Sequence, residues 1–187
     1  MVSSAAENPF RVSQLESLPF LFLSGTRETL LAKFAHHDCR GAIVGPHGSG
    51  KTTLLEELFQ HFSVLGDEVC LVRLNDQKRC LSEDEREAIS LADTILLDGA
   101  EQFSVISWRW FLLRLRKNQR LIITTHQEGW LPTVYECRTT PELFYDIVRK
   151  LDPTRISSAS SCADLLARHH GNIRQALFTL YDEHCSR

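Results

Sequence analysis

The stretch GPHGSGKTTLLEEL, residues 45–58, places glycines at 45, 48 and 50 and follows them at once with Lys51, Thr52 and a helix-forming run. Glycine weakens a helix, so three of them beside a helix start need a physical reason. Ahead of them lies the short apolar strand GAIVG, residues 41–45. Strand, glycine turn and helix together satisfy G-x-x-x-x-G-K-[ST] in the context that gives the pattern meaning. Without Cβ atoms, successive backbone N–H groups can converge on phosphate oxygens, and the helix start adds its unpaired N–H groups and positive dipole end. Residues Gly45, Pro46, His47, Gly48, Ser49, Gly50, Lys51, Thr52 and Thr53 are therefore expected to form an anion cradle. Lys51 would reach the β- and γ-phosphates of a nucleotide, and the Thr52 hydroxyl would ligate Mg2+.

Further strands follow at intervals that helices fill. Residues 68–74 (EVCLVRL), 94–98 (TILLD), 121–125 (LIITT) and 133–137 read as strands. Helices are expected over 26–37, 52–62, 83–91 (Ser82 and Glu85 forming a capping box) and 102–117. Apolar strands alternating with helices predict an α/β fold, a parallel sheet covered on both faces. A whole strand–helix unit separates the cradle from Asp98, which leaves room for LIITT between the cradle strand and TILLD. The expected strand order is 5-1-4-3-2. After residue 138 the pattern turns helical: Thr140–Pro141 opens one helix, Ser161 caps a second that Gly171 stops, and Asn172 caps a third.

Asp98, at the carboxyl end of a buried parallel strand, lies where α/β sheets bind ligands. It is expected to hold Mg2+ through water, opposite Thr52. Glu101 could polarise an attacking water. The inferred sheet order brings Thr124, Thr125 and His126 beside the cradle, where a hydroxyl or imidazole can sense phosphate.

On these residues the chain resembles P-loop NTPases of the additional-strand class, most closely AAA+ ATPases. GTRETLLAKF (25–34) resembles the segment near adenine, GAIVGPHGSGKT resembles Walker A and ILLDGAEQ resembles Walker B. LIITTH is similar to the sensor strand, and HGNIRQAL (170–177) to the start of a lid helix, with Arg174 at the position of the second sensor arginine. The resemblance implies a three-layer P-loop core at 41–138, an N-terminal arm and helix at 1–40 and a helical lid at 139–187. It implies ATP as ligand and hydrolysis to ADP and phosphate driving a conformational switch. One departure stands out: Gly99 occupies the place where AAA+ proteins carry a glutamate directly after the Walker B aspartate. Glu101 would substitute for it, or the protein would act as a non-hydrolysing ATP-gated module that engages a partner or DNA. A small nucleotide kinase is a further alternative; such kinases usually set the cradle strand beside the Walker-B-like strand. The chain has no N-K-x-D guanine-reading motif.

From residue 102 to 127 there is no Asp or Glu, while Arg109, Arg114, Arg116, Lys117 and Arg120 alternate with Trp108 and Trp110. This basic stretch, 109–120, could contact DNA or an acidic partner, present an arginine finger (Arg116 or Arg120) to a second copy, or be a solvated face. The net charge of −3 gives no global attraction to nucleic acid. The six cysteines lack a C-x-x-C pair and are expected as reduced thiols within strands and helices of a cytoplasmic protein. No apolar run suits a membrane span, and the cluster His36–Cys39 is too crowded in sequence to suggest a metal site.

Overall fold

The computed structural model describes residues 8–11, 14, 18–154 and 159–185. The chain divides into two compact units, residues 24–45 with 51–136, and residues 1–23, 46–50 and 137–187.

The first unit is built on a five-stranded sheet. Its elements are α1 (Arg27–His36), β1 (Arg40–Val44), α2 (Lys51–Val64), β2 (Val69–Arg73), α3 (Glu83–Leu91), β3 (Thr94–Asp98), α4 (Val105–Arg114), β4 (Arg120–Thr125) and β5 (Thr133–Glu136). The strand order is β2-β3-β4-β1-β5, the expected one, and every neighbouring pair is parallel. β1 therefore lies beside β4 and β5, not beside β3, which counts against the kinase arrangement.

Period-two alternation divides the sheet's side chains between its faces. Ala42, Val44, Ile95, Leu97, Leu121 and Ile123 point to one side, where they pack with Ile89 of α3 and Trp108 and Phe111 of α4. Ile43, Leu96 and Ile122, the intervening residues, are fully buried on the other. There α2 lies along β2, β3 and β4 with Leu54, Leu55 and Leu58 buried. Capping explains where the helices begin. Thr26 and Ser82 each form a reciprocal box with the third helical residue, Thr29 and Glu85.

One expected helix is divided. In place of a helix over 102–117 there is a 3-10 turn, Ala100–Gln102, followed by α4. Ser104 restarts the helix by accepting from the Ser107 amide at 3.1 Å. At the other end, the Gln119 side chain accepts from the Arg116 amide at 2.8 Å, diverting that N–H from the helix ladder.

The second unit is helical: α5 (Pro141–Leu151), α6 (Ala159–Arg168) and α7 (Ile173–Cys185). α6 begins at Ala159, before the expected cap Ser161. Gly171 ends it, its amide donating to the Leu166 carbonyl at 2.9 Å. Phe10, 1% exposed, enters a core with Phe144, Val148, Leu165, Ala176 and Leu180. Asn8, equally buried, donates from Nδ2 to the Tyr181 carbonyl at 3.0 Å. The six cysteines form no disulfide; Cys39 lies in a turn, Cys80 is exposed in a bend and Cys137 is buried just past β5, so these three are not inside an element as expected. Among the described residues, no helix is long and apolar enough to cross a membrane.

Candidate nucleotide site

Register places the chemistry. Val44 pairs with Thr125 at the carboxyl ends of β1 and β4, so Gly45 and His126 emerge side by side. Leu97 pairs with Ile123, which sets Asp98 beside Thr124. Sequence-distant residues are thus brought to one sheet edge, the edge at which α/β folds bind ligands.

Two hydrogen-bonded clusters result. In the first, the Thr52 hydroxyl, from the opening turn of α2, donates to Asp98 Oδ2 at 2.8 Å. The Thr124 hydroxyl donates to Asp98 Oδ1 and accepts from the Gly99 amide at 2.9 Å. Both carboxylate oxygens are thereby fixed in direction. A threonine hydroxyl beside an oriented carboxylate is a hard-oxygen donor pair of the kind Mg2+ prefers, so these residues fit that ion.

The second cluster joins Lys51, His126 and Glu101. Lys51 is 8% exposed, and its Nζ donates to the Gly45 carbonyl at 2.7 Å. It lies 3.2 Å from His126 Nδ1, and His126 Nε2 lies 3.0 Å from Glu101 Oε1. His126 Nδ1 also lies 3.1 Å from the Gly45 carbonyl oxygen, so it faces an ammonium donor and a carbonyl acceptor together, while Nε2 faces the carboxylate. The imidazole thus links Lys51 and the end of the cradle strand to the glutamate. The other carboxylate oxygen, Glu101 Oε2, is buried without a hydrogen-bond partner. A buried acceptor of this kind is suited to holding a water.

Gly99 explains why a glutamate cannot directly follow Asp98 here. Its φ is +80°, and a Cβ would stand 2.6 Å from the Leu74 carbonyl oxygen. A carboxylate near this strand end must come from the next turn, as Glu101 does.

The glycine turn belongs with the helical unit. Gly48 has φ +71°, and a Cβ there would lie 2.0 Å from Asn172 Oδ1. Ser49, nearly buried, donates from its hydroxyl to the Pro46 carbonyl at 2.9 Å. Pro46 and His47 are exposed, Gly45 is buried and Thr53 half-buried. Arg174 is exposed in the first turn of α7 within the same helical unit.

The remaining expected residues have these places. Thr125 is fully buried, and its hydroxyl donates to the Gln127 carbonyl at 2.8 Å, closing its own turn. Of the two sensor candidates, His126 is the one bonded to cradle and carboxylate. Both arginine-finger candidates make contacts within their own unit. Arg116 donates to the Ala92 carbonyl at 2.6 Å, while Arg120 pairs with Asp67 and covers the Phe62 ring at 5.3 Å. Sequence reasoning placed Thr124 near the site without giving it the task it has, orienting Asp98. The signal was available in the parallel register, which sets it opposite that aspartate.

No protein-family model matches the chain, and no curated protein matches it. Among solved structures it is similar to the AMPPCP-bound DnaA from Aquifex aeolicus, with 17% sequence identity and a TM-score of 0.57. The likeness covers 82% of this chain and 57% of that one, so the chain spans little more than half of that structure's length. At this identity the likeness is one of fold: a five-stranded parallel α/β sheet with flanking helices, like that of this nucleotide-bound protein.

Proposed function

We propose, from a P-loop NTPase fold similar to that of a protein solved with an ATP analogue, that this chain binds ATP with Mg2+ and hydrolyses it to ADP and phosphate. The observation that carries this reading is the Lys51–His126–Glu101 chain standing beside the Thr52–Asp98–Thr124 cluster. Amides of residues 45–52 would cradle the phosphates. Lys51 would leave the Gly45 carbonyl for the β- and γ-phosphates, as a point charge. Thr52, with Asp98 through water, would hold Mg2+, which supplies charge neutralisation between the phosphates when bound. Glu101 would orient a water and take up its proton as the water oxygen bonds to the γ-phosphorus and the bond to the β-phosphate oxygen breaks. Arg174, on the helical unit, would clamp the γ-phosphate and report its loss by moving.

His126 would connect occupancy to chemistry: its ring meets Lys51 and the Gly45 carbonyl on one side and Glu101 on the other, so drawing the ammonium toward phosphate would alter the contacts of the ring that holds Glu101. The non-hydrolysing module is the second reading, and Gly99 after Asp98 favours it.

Labelled-ATP binding and phosphate release separate the readings. Lys51→Ala is expected to weaken ATP binding by tenfold or more, about the loss of one charge-assisted phosphate contact. Glu101→Gln is expected to keep binding and lose about a hundredfold in phosphate release, the low end of what a general base contributes. Undiminished affinity in Lys51→Ala would refute the cradle. Equal, near-zero release in the wild type and Glu101→Gln, with binding intact, would establish the switch.

A further inference from the structure

The outward side of α4 has no part in the site above. Val105, Ile106, Trp110 and Leu113 are 72%, 70%, 59% and 78% exposed. At 3.6 residues per turn Ile106, Trp110 and Leu113 fall on one side of the helix, opposite the buried Trp108 and Phe111, and Val105 lies at the flank of that side. Large exposed side chains scattered singly need no explanation, but three on one helix face with a fourth at its flank form a patch of the kind that marks an interaction surface. Arg109 lies within the patch. Arg114 lies at its edge, its guanidinium 5.8 Å above the Trp110 ring. Lys117, just beyond the helix, is exposed as well. With no acid from residue 102 to 127, this face is cationic in a chain whose net charge is −3.

We propose that this face docks a helix of a partner protein, one that presents a row of apolar side chains flanked by carboxylates. Charge complementarity selects the partner's sign, and the aliphatic content selects its class. Three aliphatic side chains, each at least 70% exposed, would lie against phosphates in a nucleic-acid complex and gain nothing from it. A second copy is a poor match. The chain's own acidic helix, α3, sets Glu83, Asp84 and Glu87 outward with one large apolar side chain, Leu91. Trp110 stacked by Arg114 is the anchor, a residue pair enriched where interfaces hold most of their binding energy.

The full chain is titrated with two labelled synthetic helical peptides. Both carry leucines at i, i+4 and i+7; one is flanked by glutamates, the other by lysines. Fluorescence anisotropy should show binding of the glutamate peptide only, weakening as salt is raised. Trp110→Ala should weaken it by about tenfold or more, as loss of a hot-spot aromatic does. Because Trp110 is mostly exposed, the variant's thermal unfolding should match the wild type. The double substitution Arg109→Glu with Arg114→Glu should reverse the preference toward the lysine peptide. Equal binding of both peptides, no binding of either, or competition by single-stranded DNA would overturn the proposal. So would concentration-dependent self-association that Trp110→Ala abolishes. ATP binding, measured in parallel, should be unchanged in all these variants, so this test stands apart from that of the nucleotide site.

Discussion

At the scale of single residues, Gly99 carries the most information. The backbone after Asp98 is left-handed, and the space a Cβ would need is occupied by the Leu74 carbonyl oxygen. A glutamate directly after Asp98 therefore does not fit this backbone. Gly99→Glu is expected to destabilise the fold by about 2 kcal/mol or more, from left-handed strain together with the clash. It should lower phosphate release, not raise it. Urea unfolding reads the first effect and phosphate release the second; a faster, equally stable variant would show that the turn can rearrange. The need for glycine was legible in the sequence only as a departure from a pattern. Its cause lies in Leu74, just past the end of β2, whose carbonyl lies against the turn, and nothing near residue 99 in the chain reports that contact.

At the scale of elements, the caps were legible and the helix lengths were not always so. Ser82 and Glu85 predict the start of α3, and the reciprocal bonds are present. The early end of the helix expected over 102–117 was not legible, because the residue that draws the Arg116 amide out of the helix ladder is Gln119. Its side chain donates to the carbonyls of Ile89 and Ala92 at 2.7 and 2.8 Å, a tertiary contact that no local pattern encodes. The cap of α3 also makes a pH prediction. Burial alone would raise the Glu85 pKa, but hydrogen bonds from Lys78 and Ser82 and the lysine's charge outweigh it and hold the carboxyl below its usual value. A carboxyl lowered in the folded state adds stability that is fully present above its unfolded pKa. That stability is lost as the pH falls through the folded value. Glu85→Gln keeps a capping amide but removes the charge. It is expected to cost about 0.5 kcal/mol near neutrality, discounted for the partial exposure of Lys78, and nothing in strong acid. Chemical denaturation of both proteins across that range checks it; a difference independent of pH would assign the effect to packing.

At the scale of the whole molecule, the sheet order followed from one inference, that a full strand–helix unit between the cradle and Asp98 leaves room for β4. The parallel register then brings Thr124 to Asp98 and His126 to Gly45. The Lys51–His126–Glu101 chain could not be read from sequence, since its members are remote in the chain and meet only through that register. The helical unit depends on a different long-range contact. Phe10 is buried among α5, α6 and α7, and Asn8 closes against the Tyr181 carbonyl, so residues from the far end of the sequence complete that core. Truncating a buried phenylalanine costs about 3–5 kcal/mol through lost transfer and the cavity left behind. Phe10→Ala should therefore accelerate amide hydrogen exchange throughout α5–α7. The amides of β1, β3 and β4, whose core contains no part of this contact, should retain their protection. Uniform acceleration across both units would mean that they unfold as one cooperative body, and that the segment around Phe10 supports the sheet as much as the helices.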